Sequence, residues 1–377
     1  MMILPGKTLG MLGGGQLGRM FTIAARNMGY EVIVLDPDAD SPAGKLATDH
    51  VCAEYDDATA LDYLKRTCDA ITTEFENIPA AILEQLATNL PVRPGARAVT
   101  ITQDRIHEKR FLRDNGFPTT PFVVIRQDAD LQGALTHVTT PAILKVSRFG
   151  YDGKGQYSIN NASDLTKGWQ ALGGNECVLE QRMPLDVEIS VVLARSTAGE
   201  VVSFPVGENS HQNGILDVSI VPARVDTALC QRAIAMATDI ATALEYVGVM
   251  AVEFFISNGE LLVNEIAPRP HNSGHYTLDA TVTSQFEQQV RAVCGLPLGD
   301  TRLLSPVVMV NMLGDIWHDN QAPKWEKLMA HNNVMLHLYG KREARPGRKM
   351  GHYNVLAADV ESALKLAREI QQQLATP

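Results

Sequence analysis

The sequence predicts a mixed α/β and α+β protein of several domains that opens on a parallel sheet, and three observations predict it. Strand-like and helix-like stretches alternate over residues 1–100, the pattern of βαβ units. A second glycine-rich loop, residues 148–155, follows a later apolar strand. Further on, an apolar hairpin carries a glutamate on each arm, Glu253 and Glu265. The 377 residues exceed one ordinary core and point to two or three domains.

Taken in order, residues 8–12 read as a strand and 16–28 as a helix stopped by Gly29. Residues 31–35 and 69–75 are further strands, and a helix starts near Pro79, a favoured first-turn residue. Residues 97–115 read as one helix ending at Gly116-Phe117-Pro118. A second unit follows, with strands at 142–146 and 177–180 around the glycine-rich loop. Long β-rich stretches at 187–194, 201–206 and 216–222 precede a helix over 226–244. The hairpin over 249–256 and 261–266 turns at Asn258-Gly259. Residues 305–377 read as a small α+β cap closed by an amphipathic helix over 360–374.

Composition narrows the function. Apolar residues make up 45% and charged residues 20%, the balance of a soluble globular protein. No apolar run reaches the ~18 residues that span a bilayer, and no secretory signal pattern opens the chain, so a cytoplasmic location is expected. Five cysteines, scattered and without a CxxC pair, indicate neither a disulfide framework nor a zinc site. A net charge of −10 argues against general nucleic-acid binding. Within that acidic chain, Lys341, Arg342, Arg345, Arg348 and Lys349 cluster, as an anion site or as a solvated loop.

Gly13-Gly14-Gly15-Gln16-Leu17-Gly18 matches GxGxxG between a strand and a helix, and Asp36 ends the next strand, where a dinucleotide-binding fold keeps its ribose acid. The physics asks only for an anion at a helix N-terminus, so a nicotinamide oxidoreductase is one reading and any phosphorylated ligand another. The loop from Arg148 to Gly155, after Lys145, has backbone freedom and two lysines, Lys145 and Lys154, to set against nucleotide phosphates; a surface hairpin turn is the plainer alternative. The Glu180-Gln181-Arg182-Met183 stretch, with Glu188 beyond, could frame adenine and ribose, although alone it reads as a connector with a surface acid.

In the hairpin, a two-residue loop would set Glu253 opposite Asn264, and a three-residue loop would set it opposite Glu265. Two facing carboxylates among apolar neighbours repel unless a cation or a shared proton intervenes, and Mg²⁺ suits oxygen ligands. Directly after Glu265 comes Ala267-Pro268-Arg269-Pro270-His271-Asn272-Ser273-Gly274-His275, which projects Arg269 and His271 near that pair. A lone histidine is more often structural; the adjacent carboxylates argue for an active-site role.

In this order, the stretches GGGQLGRM, GYDGKGQ, NEIAPRPHNSGH and RPGRKMGH resemble the ATP-grasp ligases of purine synthesis, and most nearly the 5-(carboxyamino)imidazole ribonucleotide synthetases. The resemblance implies an ATP-grasp fold: a Rossmann-like pre-ATP-grasp domain over 1–103, an ATP-grasp domain over 104–298 with a lid at 121–183, and a C-terminal domain over 299–377. It implies that ATP and bicarbonate carboxylate 5-aminoimidazole ribonucleotide through carboxyphosphate, in a cytoplasmic homodimer. By matching position, ATP would meet Arg105, Lys145, Gly150, Tyr151, Asp152, Gly153, Lys154, Gly155, Glu180, Gln181, Arg182, Met183, Glu188, His211, Asn264 and Glu265. Mg²⁺ would sit on Glu253 and Glu265. The ribonucleotide would meet Gln16, Leu17, Glu74, Tyr151, Asp152, Asn272, Ser273, Lys341, Arg348 and Lys349. Arg269 and His271 would hold bicarbonate, Lys154 would neutralise the transferring phosphoryl group, and Asp152 is the candidate base. A formate-dependent glycinamide ribonucleotide transformylase shares the architecture, but its lid loop is serine-rich where this chain has Tyr151-Asp152.

Overall fold

The computed structural model describes residues 2–150, 154–317 and 321–374. Tyr151, Asp152 and Gly153 of the second glycine-rich loop lie outside them.

The first hundred residues build a four-stranded parallel sheet from β1 (Thr8–Leu12), β2 (Glu31–Leu35), β3 (Asp49–Val51) and β4 (Ala70–Thr73), in the order β3-β2-β1-β4. Its central strands are almost continuously apolar because helices cover both faces. These are α1 (Gln16–Asn27), α2 (Ala58–Thr67) and α3 (Ala80–Ala87). Helix α1 ends in a Schellman motif: Gly29 adopts φ +83°, and Gly29 and Tyr30 donate to the Arg26 and Ala25 carbonyls. Only a residue free of a Cβ takes that backbone conformation without strain.

The single helix expected over 97–115 is two, α4 (Ala96–Thr102) and α5 (Arg105–Asp114). Asp104 causes the break. Its carboxylate accepts the Ile106 and His107 N–H groups at 2.9 and 3.3 Å, an N-cap that starts a new helix at a new angle.

Residues 122–181 form an antiparallel sheet of their own: β5 (Phe122–Ile125), β6 (Ala142–Val146), β7 (Gln156–Ile159) and β8 (Cys177–Gln181), in the order β5-β8-β6-β7. Helix α6 (Ala162–Ala171) packs on it through Leu165 and Gly168, over a small core of Ile125, Leu144, Ile159 and Leu179.

The largest sheet has nine strands. They are β9 (Val187–Arg195), β10 (Val201–Ser203), β11 (Gly207–Gln212), β12 (Ile215–Val221), β13 (Gly248–Ser257), β14 (Glu260–Ala267), β15 (Val307–Leu313), β16 (Val334–Leu338) and β17 (Lys349–Leu356). The main path runs β14-β13-β9-β11-β12-β15-β17-β16, with β10 on β9. The strands of the C-terminal stretch join the same sheet as the middle of the chain, through the β12–β15 ladder. Helix α7 (Thr227–Ala243), N-capped by Asp226, covers one face; α8 (Thr277–Ala280), α9 (Gln285–Cys294), α10 (Trp325–Met329) and α11 (Val360–Leu374) complete the chain. Helix α9 buries Phe286, Val290 and Val293 against Leu9 and Phe21, which joins the first sheet to the third.

Candidate active site

The three sheets surround one cavity of about 1660 Å³. Its walls include Gln16, Leu17, Glu74, Arg105, Lys145, Gly150, Lys154 and the 180–183 hinge. They also include Glu188, His211, Glu253, Asn264, Glu265, Arg269, His271, Asn272, Lys341, Arg348 and Lys349. Of the other expected site residues that are described, Gly155 and Ser273 lie off the wall.

The glycine-rich turn before α1 cradles anions of the protein itself. Glu74 accepts the Gly15 and Gly18 N–H groups at 2.5 and 2.7 Å, and Asp36 accepts Gly14 N–H at 2.6 Å. Asp36 also accepts from Tyr55 Oη at 3.0 Å, so the acid expected to bind a dinucleotide ribose is already engaged. The N–H anion site read from the GxGxxG pattern is thus filled from within by the end of β4. Burial raises the Glu74 carboxyl, and the two N–H bonds act against that rise.

On strand β8 of the 122–181 sheet, Glu180 is an internal counter-ion. Its Oε2 accepts from Lys145 at 3.1 Å and Thr120 at 3.0 Å and lies 3.4 Å from Lys109, itself fully buried. Burial raises the Glu180 carboxyl, but Lys109, Lys145 and Arg105 outweigh it and hold it at about 2. The hinge offers fewer donors than its sequence suggested. Gln181 N–H and Arg182 N–H already donate to the Pro121 and Pro141 carbonyls, which leaves Met183 as the position without such a bond among the described residues. Across the cavity, Arg105 donates to Glu265 Oε2 at 3.4 Å and to the Gly150 carbonyl at 3.3 Å, linking the carboxylate pair to the glycine-rich loop. Gly155 has a structural part: at φ +71°, a Cβ would meet Val146 Cγ2 at 2.5 Å.

The hairpin turns in two residues, Asn258 and Gly259, both at positive φ, with Ser257 opposite Glu260. A regular ladder from that turn would pair Glu253 with Asn264. The observed ladder pairs Phe254 with Val263 and then Glu253 with Glu265, because a β-bulge at Asn264 absorbs one residue. The short turn and the facing glutamates, which the sequence made alternatives, therefore coexist. Burial and then the Glu265 charge push the Glu253 carboxyl up to about 7. His211 Nδ1 stands 2.6 Å from Glu188, and burial, which lowers that imidazole, is outweighed by Glu188 and Glu253, which raise it.

Arg269 makes a two-pronged contact with Glu76, Nε to Oε2 at 2.5 Å and Nη2 to Oε1 at 3.3 Å. Burial raises the Glu76 carboxyl, but the guanidinium outweighs it and holds Glu76 below the usual carboxylate range. His271 is buried, and burial followed by the Arg269 and Lys349 charges keeps its ring neutral. Its Nδ1 accepts Ser273 N–H at 3.3 Å, so the ring proton sits on Nε2, 3.3 Å from Glu253 Oε1. Ser273 is spent in that support. Its hydroxyl lies 2.9 Å from His271 Nδ1 and 2.8 Å from Ser190 Oγ, which removes it from the wall where it was expected. Asn272, by contrast, faces the cavity only 7% exposed, with neither amide atom partnered among the described residues. At the far end, Lys341 Nζ donates to Gln16 Oε1 at 2.6 Å and the Lys349 carbonyl at 2.8 Å, bringing the basic cluster to α1.

Sequence reading missed Glu76, Glu108, Lys109 and Thr120. Two signals were available. Glu76 follows a strand end of an open α/β sheet, where ligands bind. Lys109 lies three residues from both Ile106 and Leu112, a charge on an apolar helical stripe.

A small four-stranded antiparallel sheet carrying Lys145 and a larger antiparallel sheet carrying paired carboxylates, both lining one cavity, is the arrangement of an ATP-grasp ligase. Residues 110–286 match the ATP-grasp domain family, 6–103 the ribonucleotide synthetase preATP-grasp domain, and 307–366 the phosphoribosylaminoimidazole carboxylase C-terminal domain. The N5-carboxyaminoimidazole ribonucleotide synthase of Bacillus subtilis (strain 168) is 45% identical over 355 residues, 93% of this chain and 91% of that protein. Its counterpart in Brucella melitensis biotype 1 is 43% identical over 92% of this chain and 96% of that one. An ADP complex of an N5-carboxyaminoimidazole ribonucleotide synthetase has a TM-score of 0.92 at 44% identity, covering 99% of both chains. The Aspergillus clavatus N5-carboxyaminoimidazole synthase, in complex with ADP and 5-aminoimidazole ribonucleotide, has a TM-score of 0.91 at 30% identity, covering 98% of both chains. The chain belongs to the N5-carboxyaminoimidazole ribonucleotide synthase family.

Proposed function

We propose that the protein uses ATP to carboxylate the exocyclic amine of 5-aminoimidazole ribonucleotide with bicarbonate, giving N5-carboxyaminoimidazole ribonucleotide, ADP and phosphate. The observation that carries this is the single cavity running from the lid lysines, past the Glu253–Glu265 pair, to the basic cluster at Lys341–Lys349. It has room for a nucleotide and a second phosphorylated molecule end to end.

Mg²⁺ fits the carboxylate pair. The two facing carboxylates repel, and a divalent cation would offset both; Asn264 adds an amide 3.4 Å from Glu253. Among the described residues no group of three or more His, Cys, Asp or Glu forms a ready cage, which suits an ion that completes its shell with phosphate and water. When bound, the ion would neutralise charge on the polyphosphate.

The chain's own residues do the remaining work in this reading. Lys145 and Lys154 bind the phosphates, Arg105 ties the lid loop to Glu265, and Met183 with the hinge carbonyls faces adenine, with Glu188 and His211 toward the ribose. A bicarbonate oxygen attacks the γ-phosphorus and ADP leaves, forming carboxyphosphate; Arg269 and neutral His271 hold that anion. The amine nitrogen then bonds to the carboxyl carbon, phosphate departs and the amine proton is lost. Asp152, which lies outside the described residues, is the candidate base. Asn272, Gln16, Leu17, Glu74 and Lys341, with Arg348 and Lys349, take the ribonucleotide, for which the unpartnered Asn272 amide is direct support. Lid closure excludes water that would hydrolyse carboxyphosphate. A cytoplasmic homodimer belongs to the same reading, and sedimentation tests the dimer. The deciding experiment is ATP hydrolysis with and without each of the other two substrates. Turnover should require 5-aminoimidazole ribonucleotide and bicarbonate together, and turnover supported equally by formate and glycinamide ribonucleotide would overturn the reading.

A further inference from the structure

The Glu253–Glu265 pairing depends on the bulge at Asn264, and the bulge lies in β14, the edge strand of the large sheet. Glu253 and Phe255, alternate residues of β13, both line the cavity, and so do the consecutive residues Asn264 and Glu265 of β14. An edge strand also presents unpaired N–H and C=O groups, along which register can slip.

Here that outer edge is fastened at four backbone groups between Val263 and Ile266. Val263 N–H donates to the Pro118 carbonyl at 2.8 Å, and the Val263 carbonyl accepts from Thr119 Oγ1 at 2.8 Å. The Asn264 carbonyl accepts from Lys109 Nζ at 3.0 Å, and Ile266 N–H donates to Glu108 Oε1 at 2.5 Å. The first two bonds end at the residue before the bulge; the last two straddle Glu265. Glu108 and Lys109 are adjacent on α5 and almost wholly buried, at 2% and 0% exposure. Burying two such polar side chains there is costly unless their polar atoms serve the groups they touch.

We infer that Glu108 and Lys109 are positioning residues that clamp the Asn264 bulge and thereby hold Glu253 and Glu265 in register for a divalent cation. The inference rests on the proposed metal role of that pair. It adds a specific claim: what matters at position 108 is an oxygen that accepts Ile266 N–H, and at 109 a donor to the Asn264 carbonyl. Glutamine at 108 preserves the acceptor, whereas methionine at either site keeps the volume and deletes the bond.

The test measures Mn²⁺ binding by electron paramagnetic resonance in the presence of ADP, and ADP binding without metal by calorimetry. The unsubstituted protein should bind Mn²⁺, and Glu253→Gln should weaken it; if neither holds, the metal assignment itself fails. Given that result, Glu108→Met and Lys109→Met should weaken Mn²⁺ binding at least tenfold, Glu108→Gln should stay within about threefold of the parent, and metal-free ADP binding should change less than Mn²⁺ binding. Parental Mn²⁺ affinity in both methionine variants overturns the clamp, as does an equal loss of metal-free ADP binding. Hydrogen exchange on the unsubstituted protein covers the case in which a methionine variant does not fold. The Ile266 amide should rank with the slowest-exchanging amides of β13, and exchange as fast as exposed loop amides overturns the proposal.

Discussion

Replacing Lys341 with methionine should raise the KM for 5-aminoimidazole ribonucleotide while leaving the KM for ATP nearly unchanged. The substitution keeps most of the stem and deletes one ammonium group. That ammonium bridges Gln16 Oε1 and the Lys349 carbonyl, at 2.6 and 2.8 Å, and stands 5.6 Å from the centre of the Tyr339 ring. It thus lines the cavity beside Lys349, with Arg348 also on the wall. A hydrogen bond to a charged group contributes roughly 1.5–3 kcal/mol, and about 1.4 kcal/mol is a factor of ten in affinity. The expected rise in KM is therefore roughly tenfold to a hundredfold. Because the site opens to solvent, the effect should shrink as ionic strength rises. Initial rates with each substrate varied in turn, together with a melting curve to establish folding, measure all of this. A larger change in the ATP constant than in the ribonucleotide constant would refute the assignment, and no change in either would return Lys341 to a structural bridge.

Three further outcomes are expected. Glu265→Gln keeps shape and removes charge, so turnover should fall by roughly a hundredfold to a thousandfold with the fold intact; near-parental turnover at limiting Mg²⁺ would contradict the metal role. Glu180 is depressed from 4.5 to about 2, so its stabilising contribution is present above pH 4.5 and is lost as the pH falls toward 2. That shift corresponds to roughly 3 kcal/mol, and urea unfolding across this range should lose its steep acid slope in Glu180→Gln. Glu76→Gln should leave Arg269 with one weaker contact and lower kcat/KM for bicarbonate about tenfold, with the ATP constant as the control that should not move.

Much of the fold was legible because local signals agreed with tertiary ones. The alternation over residues 1–100, the Gly29 stop and the Asn258-Gly259 turn each follow from a short-range rule, and the structure contains each. The misreading of one helix over 97–115 has a different cause. A continuous helix over 97–115 fits its apolar period, and what divides it is a tertiary demand on Asp104, whose carboxylate caps α5 and also accepts from Ser147 Oγ at 2.6 Å. Nothing local announces, likewise, that β15 will pair with β12, some ninety positions earlier.

The site divides along the same line. Motif residues could be named from sequence because their chemistry is in their types: glycines near phosphate, lysines under a lid, two acids on a hairpin. Which of their atoms are already engaged was not legible. Nothing in GxGxxG says that Glu74 fills the N–H cradle at 2.5 and 2.7 Å, or that Pro121 and Pro141 occupy two hinge donors. The hairpin is the sharpest case. Counting residues from its turn offers Asn264 or Glu265 as the partner of Glu253, and turn length alone selects the wrong one. The deciding information is a bulge on an edge strand, and a bulge is stable where its unpaired carbonyl and the next N–H find partners. Those partners are two buried polar side chains on a helix some 150 residues earlier in the chain, Lys109 at 3.0 Å from the Asn264 carbonyl and Glu108 at 2.5 Å from Ile266 N–H. The register of the carboxylate pair is therefore set by the site's surroundings and not by the hairpin's own sequence, so grafting the hairpin alone onto another sheet would not reproduce it.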